Sequence, residues 1–230
     1  IDGFVRGYLQ RKGDDINNLT DEISKIIKTH PKFAFVIISV FTQNLKRQNL
    51  EYIGDAISQI IKNNEQIIKN DKGVAFSIID GFIDGFFKQS NDIGSFANEI
   101  SKITGNNEEF ASTIINVFTR ICISKGQNLE DIGCYISKII TSNRGINNQE
   151  LANKIICGFV QGYLQKKGYD INNLTNKISK IINENEELAS GISAGFTKGC
   201  FLCNQKWKDI DSRISQIIKS DGREDNLYLV

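Results

Sequence analysis

Apolar residues recur along this chain at three- and four-residue spacing, and no stretch alternates strictly between apolar and polar. Leu19, Ile23, Ile26 and Ile27 form one such set; Leu50, Ile53, Ile57, Ile60 and Ile61 form another. This spacing puts each set on one face of a helix. The densest part of the pattern returns six times, as Ile23-Ser24-Lys25-Ile26-Ile27, Ile57-Ser58-Gln59-Ile60-Ile61, Ile100-Ser101-Lys102-Ile103-Thr104, Ile136-Ser137-Lys138-Ile139-Ile140, Ile178-Ser179-Lys180-Ile181-Ile182 and Ile214-Ser215-Gln216-Ile217-Ile218. An aromatic anchor precedes each: Phe4, Phe41, Phe82, Phe118, Phe159 and Phe196. Phe4, Phe82 and Phe159 are spaced by 78 and 77 residues (82−4, 159−82), and Phe41, Phe118 and Phe196 by 77 and 78 (118−41, 196−118). Two repeat types therefore alternate, each long enough for one helix pair.

A period of this size marks an array of supersecondary units. The expected fold is all-α: about twelve helices in six hairpins, forming three double units of about 77 residues. The units cover residues 1–68, 69–145 and 146–220, and a polar tail follows at 221–230. Stacking would give a solenoid or a multi-helix bundle in which neighbouring pairs share a core. At about 1.5–3 kcal/mol per buried Ile, Leu or Phe, that stacking is the main driving force.

Local signals place the element ends. Lys12-Gly13 reads as a helix stop, with Gly13 at the left-handed position beyond it. Asn18 reads as the N-cap of the following helix, and Pro31, after His30, suits a first helical turn. Asn106 and Glu109 have capping-box spacing. Gln127-Asn128-Leu129-Glu130 before Ile132-Gly133 copies Gln48-Asn49-Leu50-Glu51 before Ile53-Gly54, and the fifth hairpin is expected to begin near Asn147. Gly158 to Ile182 agrees with Gly3 to Ile27 at 20 of 25 positions. Because Ile1 aligns with Ile79 and Ile156, the natural chain is expected to extend upstream by roughly two helical turns.

Charge and composition narrow the partners. The chain has 28 basic and 27 acidic residues, interspersed. No basic stripe is present to neutralise several phosphates, so nucleic acid is not expected as a partner. Apolar runs are too short for membrane insertion. The five cysteines, Cys122, Cys134, Cys157, Cys200 and Cys203, are absent from the first half and do not follow the repeat, unlike a disulfide framework or ligand set.

Several residues invite a chemical reading. Gly3/Gly7, Gly81/Gly85 and Gly158/Gly162 recur inside predicted helices, as do Gly191, Gly195 and Gly199. Mid-helix glycine is unfavourable by about 1 kcal/mol against alanine, so the spacing points to close helix approach, or else to a groove for a ligand or partner helix. Cys200-Phe201-Leu202-Cys203 has the spacing of a metal or redox pair, but a closed metal site wants four ligands and His30 is the only histidine. The expected reading is structural thiols on a helix. His30 has no nucleophile or acid beside it in a recurring arrangement. Asp14-Asp15 and Glu186-Glu187 fall in turns and first helical turns, where the helix dipole favours them. Asn18-Leu19-Thr20 and Asn173-Leu174-Thr175 fit the glycosylation sequon, yet both asparagines also read as N-caps. Trp207, in the expected last interhelix loop, is a candidate cover for the end of the array. No residue is assigned a catalytic, cofactor-binding or metal-binding role.

The layout of Phe110-Ala111 and Phe118, a Gly-Gln-Asn-Leu turn, then Ile132-Gly133 before Ile136-Ser137 resembles the helical repeat domains of spider silk proteins, the spidroins. Those repeats are richer in Ala and Ser and poorer in charge than this chain. The resemblance implies a secreted structural protein whose repeats pack and assemble into fibre. The function expected is a non-enzymatic structural or assembly protein that associates with itself or with other proteins. The alternative is a helical-repeat binding scaffold, an adaptor or effector that grips a protein on one face.

Overall fold

The computed structural model describes residues 2–12, 15–45, 52–90, 92–143, 148–167 and 171–220. The expected stop at Gly13 and the tail at 221–230 lie outside these residues. All regular structure in the described residues is helical, with no strand. The chain divides into two compact units, Ile1–Ile114 and Ile115–Val230. The sequence period of about 77 residues runs across this division.

The first unit holds α1 (Asp2–Lys12), α2 (Ile16–Thr29), α3 (Ala34–Asn44), α4 (Ile53–Asn63), α5 (Glu65–Asn70), α6 (Lys72–Gln89) and α7 (Ile93–Asn106). The division falls inside α8 (Ala111–Ser124). The second unit continues with α9 (Leu129–Ser142), α10 (Asn148–Lys167), α11 (Ile171–Glu184), α12 (Ala189–Leu202) and α13 (Trp207–Ser220). Among the described residues thirteen α-helices stand where about twelve were expected; the extra one is α5, a short helix in the link between α4 and α6.

Each unit is a two-layer helix bundle. In the first, α1 packs on α3 and α3 on α6, while α2 packs on α4 and α4 on α7. In the second, α10 packs on α12 in one layer, and α9, α11 and α13 succeed one another in the other. The repeated Ile-Ser stretch explains the second layer. Ile23, Ile57, Ile100, Ile136 and Ile178 are fully buried, and the serine after each is buried too. Small Ser24 and Ser137 let the next helix come close, and there they accept hydrogen bonds from Asn63 Nδ2 (3.2 Å) and Asn185 Nδ2 (3.1 Å).

Phe41, Phe82, Phe118, Phe159 and Phe196 are fully buried, and Phe82, Phe86, Phe87 and Phe96 stack with ring centroids 5.0–6.0 Å apart. Phe4 departs from its counterparts: it is 43% exposed, and α1 buries Val5 instead. Neighbouring residues point about 100° apart around a helix, so burying Val5 leaves Phe4 on the flank.

The glycines set the spacing of the first layer. A Cβ at Gly81 would overlap the Phe35 carbonyl of α3, and one at Gly85 would lie 2.6 Å from Ser39 O. At Gly162 it would meet Asn116 O of α8 at 2.7 Å, and at Gly199 it would meet Val160 Cβ of α10 at 2.7 Å. Helix backbones thus lie directly on one another at these points. Gly3 has no atom within 4 Å of the same construction.

Helix ends correct four readings from the sequence. Asp15, not Asn18, caps α2: its Oδ1 accepts from the Asn18 backbone N–H at 3.2 Å, and Asn18 lies inside the helix. Asn173 is likewise inside α11. Asn106 ends α7 and builds no capping box; Asn107 caps that end, and the 3₁₀ turn Glu108–Phe110 has no side-chain cap. Trp207 is not in a loop but opens α13, and it is 64% exposed. Asn128 does cap α9, accepting from Asp131 N–H at 2.8 Å. His30 and Pro31 stand as expected, with Pro31 opening a 3₁₀ turn.

The first prediction pairs two glycines. Gly81→Ala should lower stability by about 1–3 kcal/mol through overlap with α3, whereas Gly3→Ala should raise it by up to about 1 kcal/mol through helix propensity. Urea denaturation of both variants checks this, and equal effects would show that backbone contact is not what Gly81 serves.

Candidate functional site

Polar chemistry inside the units gathers at contacts between successive second-layer helices. Glu99 of α7 is 5% exposed and lies against the N-terminal turn of α4, where its Oε2 accepts the Gly54 N–H at 2.8 Å. Free N–H groups at a helix start, with the helix dipole, favour a carboxylate there. Lys102 Nζ reaches Glu99 Oε1 at 3.0 Å. Burial still dominates and holds the Glu99 carboxyl above its ordinary range, against the pull of Lys102 and the Gly54 N–H. Gly54 is needed because a Cβ there would stand 2.6 Å from Glu99 Oε2.

The counterpart contact in the second unit carries the opposite charge. Lys177 of α11 takes the place of Glu99, and its stem runs over Gly133 of α9 so closely that any Cβ there would overlap it. Lys177 is 4% exposed; its Nζ pairs with Glu130 Oε1 at 3.2 Å and donates to Cys134 Sγ at 3.7 Å. Lys180 also reaches Glu130 Oε1 at 3.2 Å. Hydrogen bonds from Lys180 and Lys177 hold the Glu130 carboxyl below its ordinary range. A cavity of about 360 Å³ adjoins this cluster, lined in part by Tyr163, Asn173 and Asn176. The first unit has a larger groove of about 680 Å³ between α2 and α4, bearing Asp15, Asp21, Asp55, Tyr52 and Gln59.

A recurring cap explains the lone histidine. Three residues beyond the first five Ile-rich stretches stand His30, Asn64, Asn107, Asn143 and Asn185. Each asparagine turns its amide back to the carbonyl four residues earlier, at 2.8–3.0 Å. His30 ends α2 at the same position, donating its backbone N–H to Ile26 O at 2.9 Å. Its Nδ1 lies 2.8 Å from Thr29 Oγ1. The asparagine at a fixed offset was a signal present in the sequence, and it marks helix ends rather than a reaction.

The other candidates disperse. Cys200 is buried at the end of α12 and half-buried Cys203 caps that helix; none of the five cysteines forms a disulfide. Phe201 and Leu202 between them face solvent. Burial pushes the Cys122 and Cys200 thiols up to about 12. Among the described residues no three His, Cys, Asp or Glu side chains converge as a metal site requires. No described helix is long and apolar enough to cross a membrane. Thr20 and Thr175 of the two sequons are buried and donate to Ile16 O and Ile171 O at 2.7 Å. Glu186 and Glu187 sit in a 3₁₀ turn ahead of α12.

Comparison with protein families, curated proteins and solved structures finds no match for this chain.

Two predictions test these contacts. With its folded-state pKa raised, Glu99 holds a proton in the folded chain over a window above about pH 4 where the unfolded chain has lost it. Stability from this group therefore falls as pH rises through that window. Glu99→Gln should gain on the parent chain as pH climbs from about 4 to 7, a trend that urea melts across that range would read; a flat difference would count against burial as the dominant effect. Asn185→Ala should lower stability by about 2 kcal/mol, since it strips bonds from Ser137, Thr141 and the Ile181 carbonyl in a buried setting. A loss below about 0.5 kcal/mol would demote this cap to a surface feature.

Proposed function

We propose that this chain is a non-enzymatic assembly protein whose tandem helix pairs act by packing, first within each unit and then with further copies. The observation that carries the reading is a pair of exposed apolar clusters. Phe33, Phe35 and Val36 face solvent at the start of α3, and Phe201, Leu202 and Trp207 do so around the turn from α12 to α13. The second cluster exceeds what the repeat needs: the matching turn after α8 carries Ile123, Ser124 and Leu129 at those positions. Large apolar side chains left exposed in this way suit an interaction surface. The resemblance to spider silk repeat domains supports the fibre-forming, secreted version of this proposal.

The second reading, a scaffold that binds another protein, draws on the acidic groove between α2 and α4, whose Asp15, Asp21 and Asp55 suit a basic partner segment.

Sedimentation velocity over a range of concentrations tests the proposal. The full chain should shift toward larger species as concentration rises, and Phe201→Asp with Trp207→Asp should weaken that association on the order of tenfold or more. Both side chains are exposed, so helicity should be retained. A monomer at every concentration would reject self-assembly and leave the acidic groove as the face to probe.

A further inference from the structure

One contact departs from its repeat counterpart at two positions together. On α4, Gly54-Asp55 faces Glu99; on α9, Gly133-Cys134 faces Lys177. An acid–acid neighbourhood has become a thiol–amine one. Lys177 is almost wholly buried, yet its Nζ comes within 3.7 Å of Cys134 Sγ because Gly133 leaves the passage for its stem. Glu130, exposed to solvent, stands 3.2 Å from the same nitrogen. Cys134 is the exposed thiol of the five; Cys122, Cys157 and Cys200 are buried and Cys203 is half-buried. A small oxidant therefore reaches sulfur most readily at Cys134, which has an amine fixed beside it.

We propose that Cys134 and Lys177 form a redox-responsive cross-link site, in which a sulfur–nitrogen bond joins α9 to α11. The oxidant is a hydroperoxide. Cys134 sulfur attacks its outer oxygen, the O–O bond breaks, and the thiol becomes a sulfenic acid while the hydroperoxide leaves as the alcohol, or as water from hydrogen peroxide. Sulfur is oxidised by two electrons and the peroxide is reduced by two. The Lys177 ammonium passes one proton to Glu130, which releases it to solvent. The amine lone pair then attacks sulfur, and the S–O bond breaks. The departing hydroxide takes a second proton from nitrogen and leaves as water. The product is a sulfenamide between Cys134 Sγ and Lys177 Nζ; an excess of small thiol returns it to thiol and amine and is itself oxidised to a disulfide.

This site is independent of the assembly reading, because the bond lies within one chain. The test treats the full chain with hydrogen peroxide, then unfolds, digests and weighs the peptides. The expected result is an α9 peptide joined to an α11 peptide, two hydrogens lighter than the pair, lost on dithiothreitol treatment and lost in Cys134→Ser. Lys177→Met keeps the length of the stem without the amine; it should give no cross-link but a sulfenic acid that dimedone traps. Lys177→Arg serves the same comparison if the methionine variant loses its helical spectrum. Wild-type Cys134 trapped by dimedone or paired with another copy, without the α9–α11 peptide, would overturn the proposal, as would a Cys134 left unoxidised.

Discussion

How closely one helix can approach the next governs both units. In the first layer the limit is set where backbone meets backbone: α6 lies on α3 through Gly81 and Gly85, and α12 lies on α10 through Gly195 and Gly199. An ordinary side chain at any of these points would push the neighbouring helices of that layer apart. The second layer must match that spacing, which is why a buried serine stands between the isoleucines that fill the core. Once both layers advance by the same step, the phenylalanine anchors fall between them and lose their water. The glycines cost helix propensity, and the burial they permit outweighs it.

Close approach also creates a problem of polar satisfaction. A helix start pressed against its neighbour has N–H groups that water cannot reach. The first unit answers with Glu99, whose carboxylate accepts the Gly54 N–H; at the same station the second unit has Lys177, which accepts no N–H and is itself paired with Glu130. One backbone step thus tolerates either sign of charge, provided the glycine opposite remains and a partner is supplied. Neither arrangement relies on a surface ion pair, which would contribute little. Each instead settles a group that would otherwise be buried and unpaired, and that is where a substitution is felt.

Much of the fold was legible because it repeats. Six copies of one apolar face, at helical spacing, leave no room for strands, and the glycine spacing pointed to close packing before any contact was known. What escaped was local and depended on competition between neighbours. Asn18 has the right chemistry for a cap, but Asp15 lies three residues earlier, and its carboxylate takes the free N–H groups first. Asn106 lost to Asn107 for a similar reason: the amide that can bend back to Ile103 O is one residue later. Trp207 was placed in a loop, whereas the backbone has already turned at Asn204, in the left-handed region with φ 57°, and the helix begins at Trp207 itself. The buried pairs could not be read at all, since Glu99 and Lys177 meet their glycines from 45 and 44 residues away (99−54, 177−133).

The informative positions in such a chain are those where equivalent stations differ. Gly126 and Asn204 occupy the same left-handed point after α8 and α12, and both turns close with a backbone bond from the following glutamine, to Cys122 O at 2.9 Å and Cys200 O at 3.1 Å. The backbone requirement is therefore met equally by both. Yet one turn carries Ser124 and Leu129 while the other carries Leu202 and Trp207, which the turn does not need and which water does not favour. The same logic singles out Cys134, where the companion contact has Asp55. Residues that the packing demands recur, and those that depart from the repeat without gaining burial are free to serve something other than the fold. In this chain such positions lie on the surface of the last hairpin and beside Lys177.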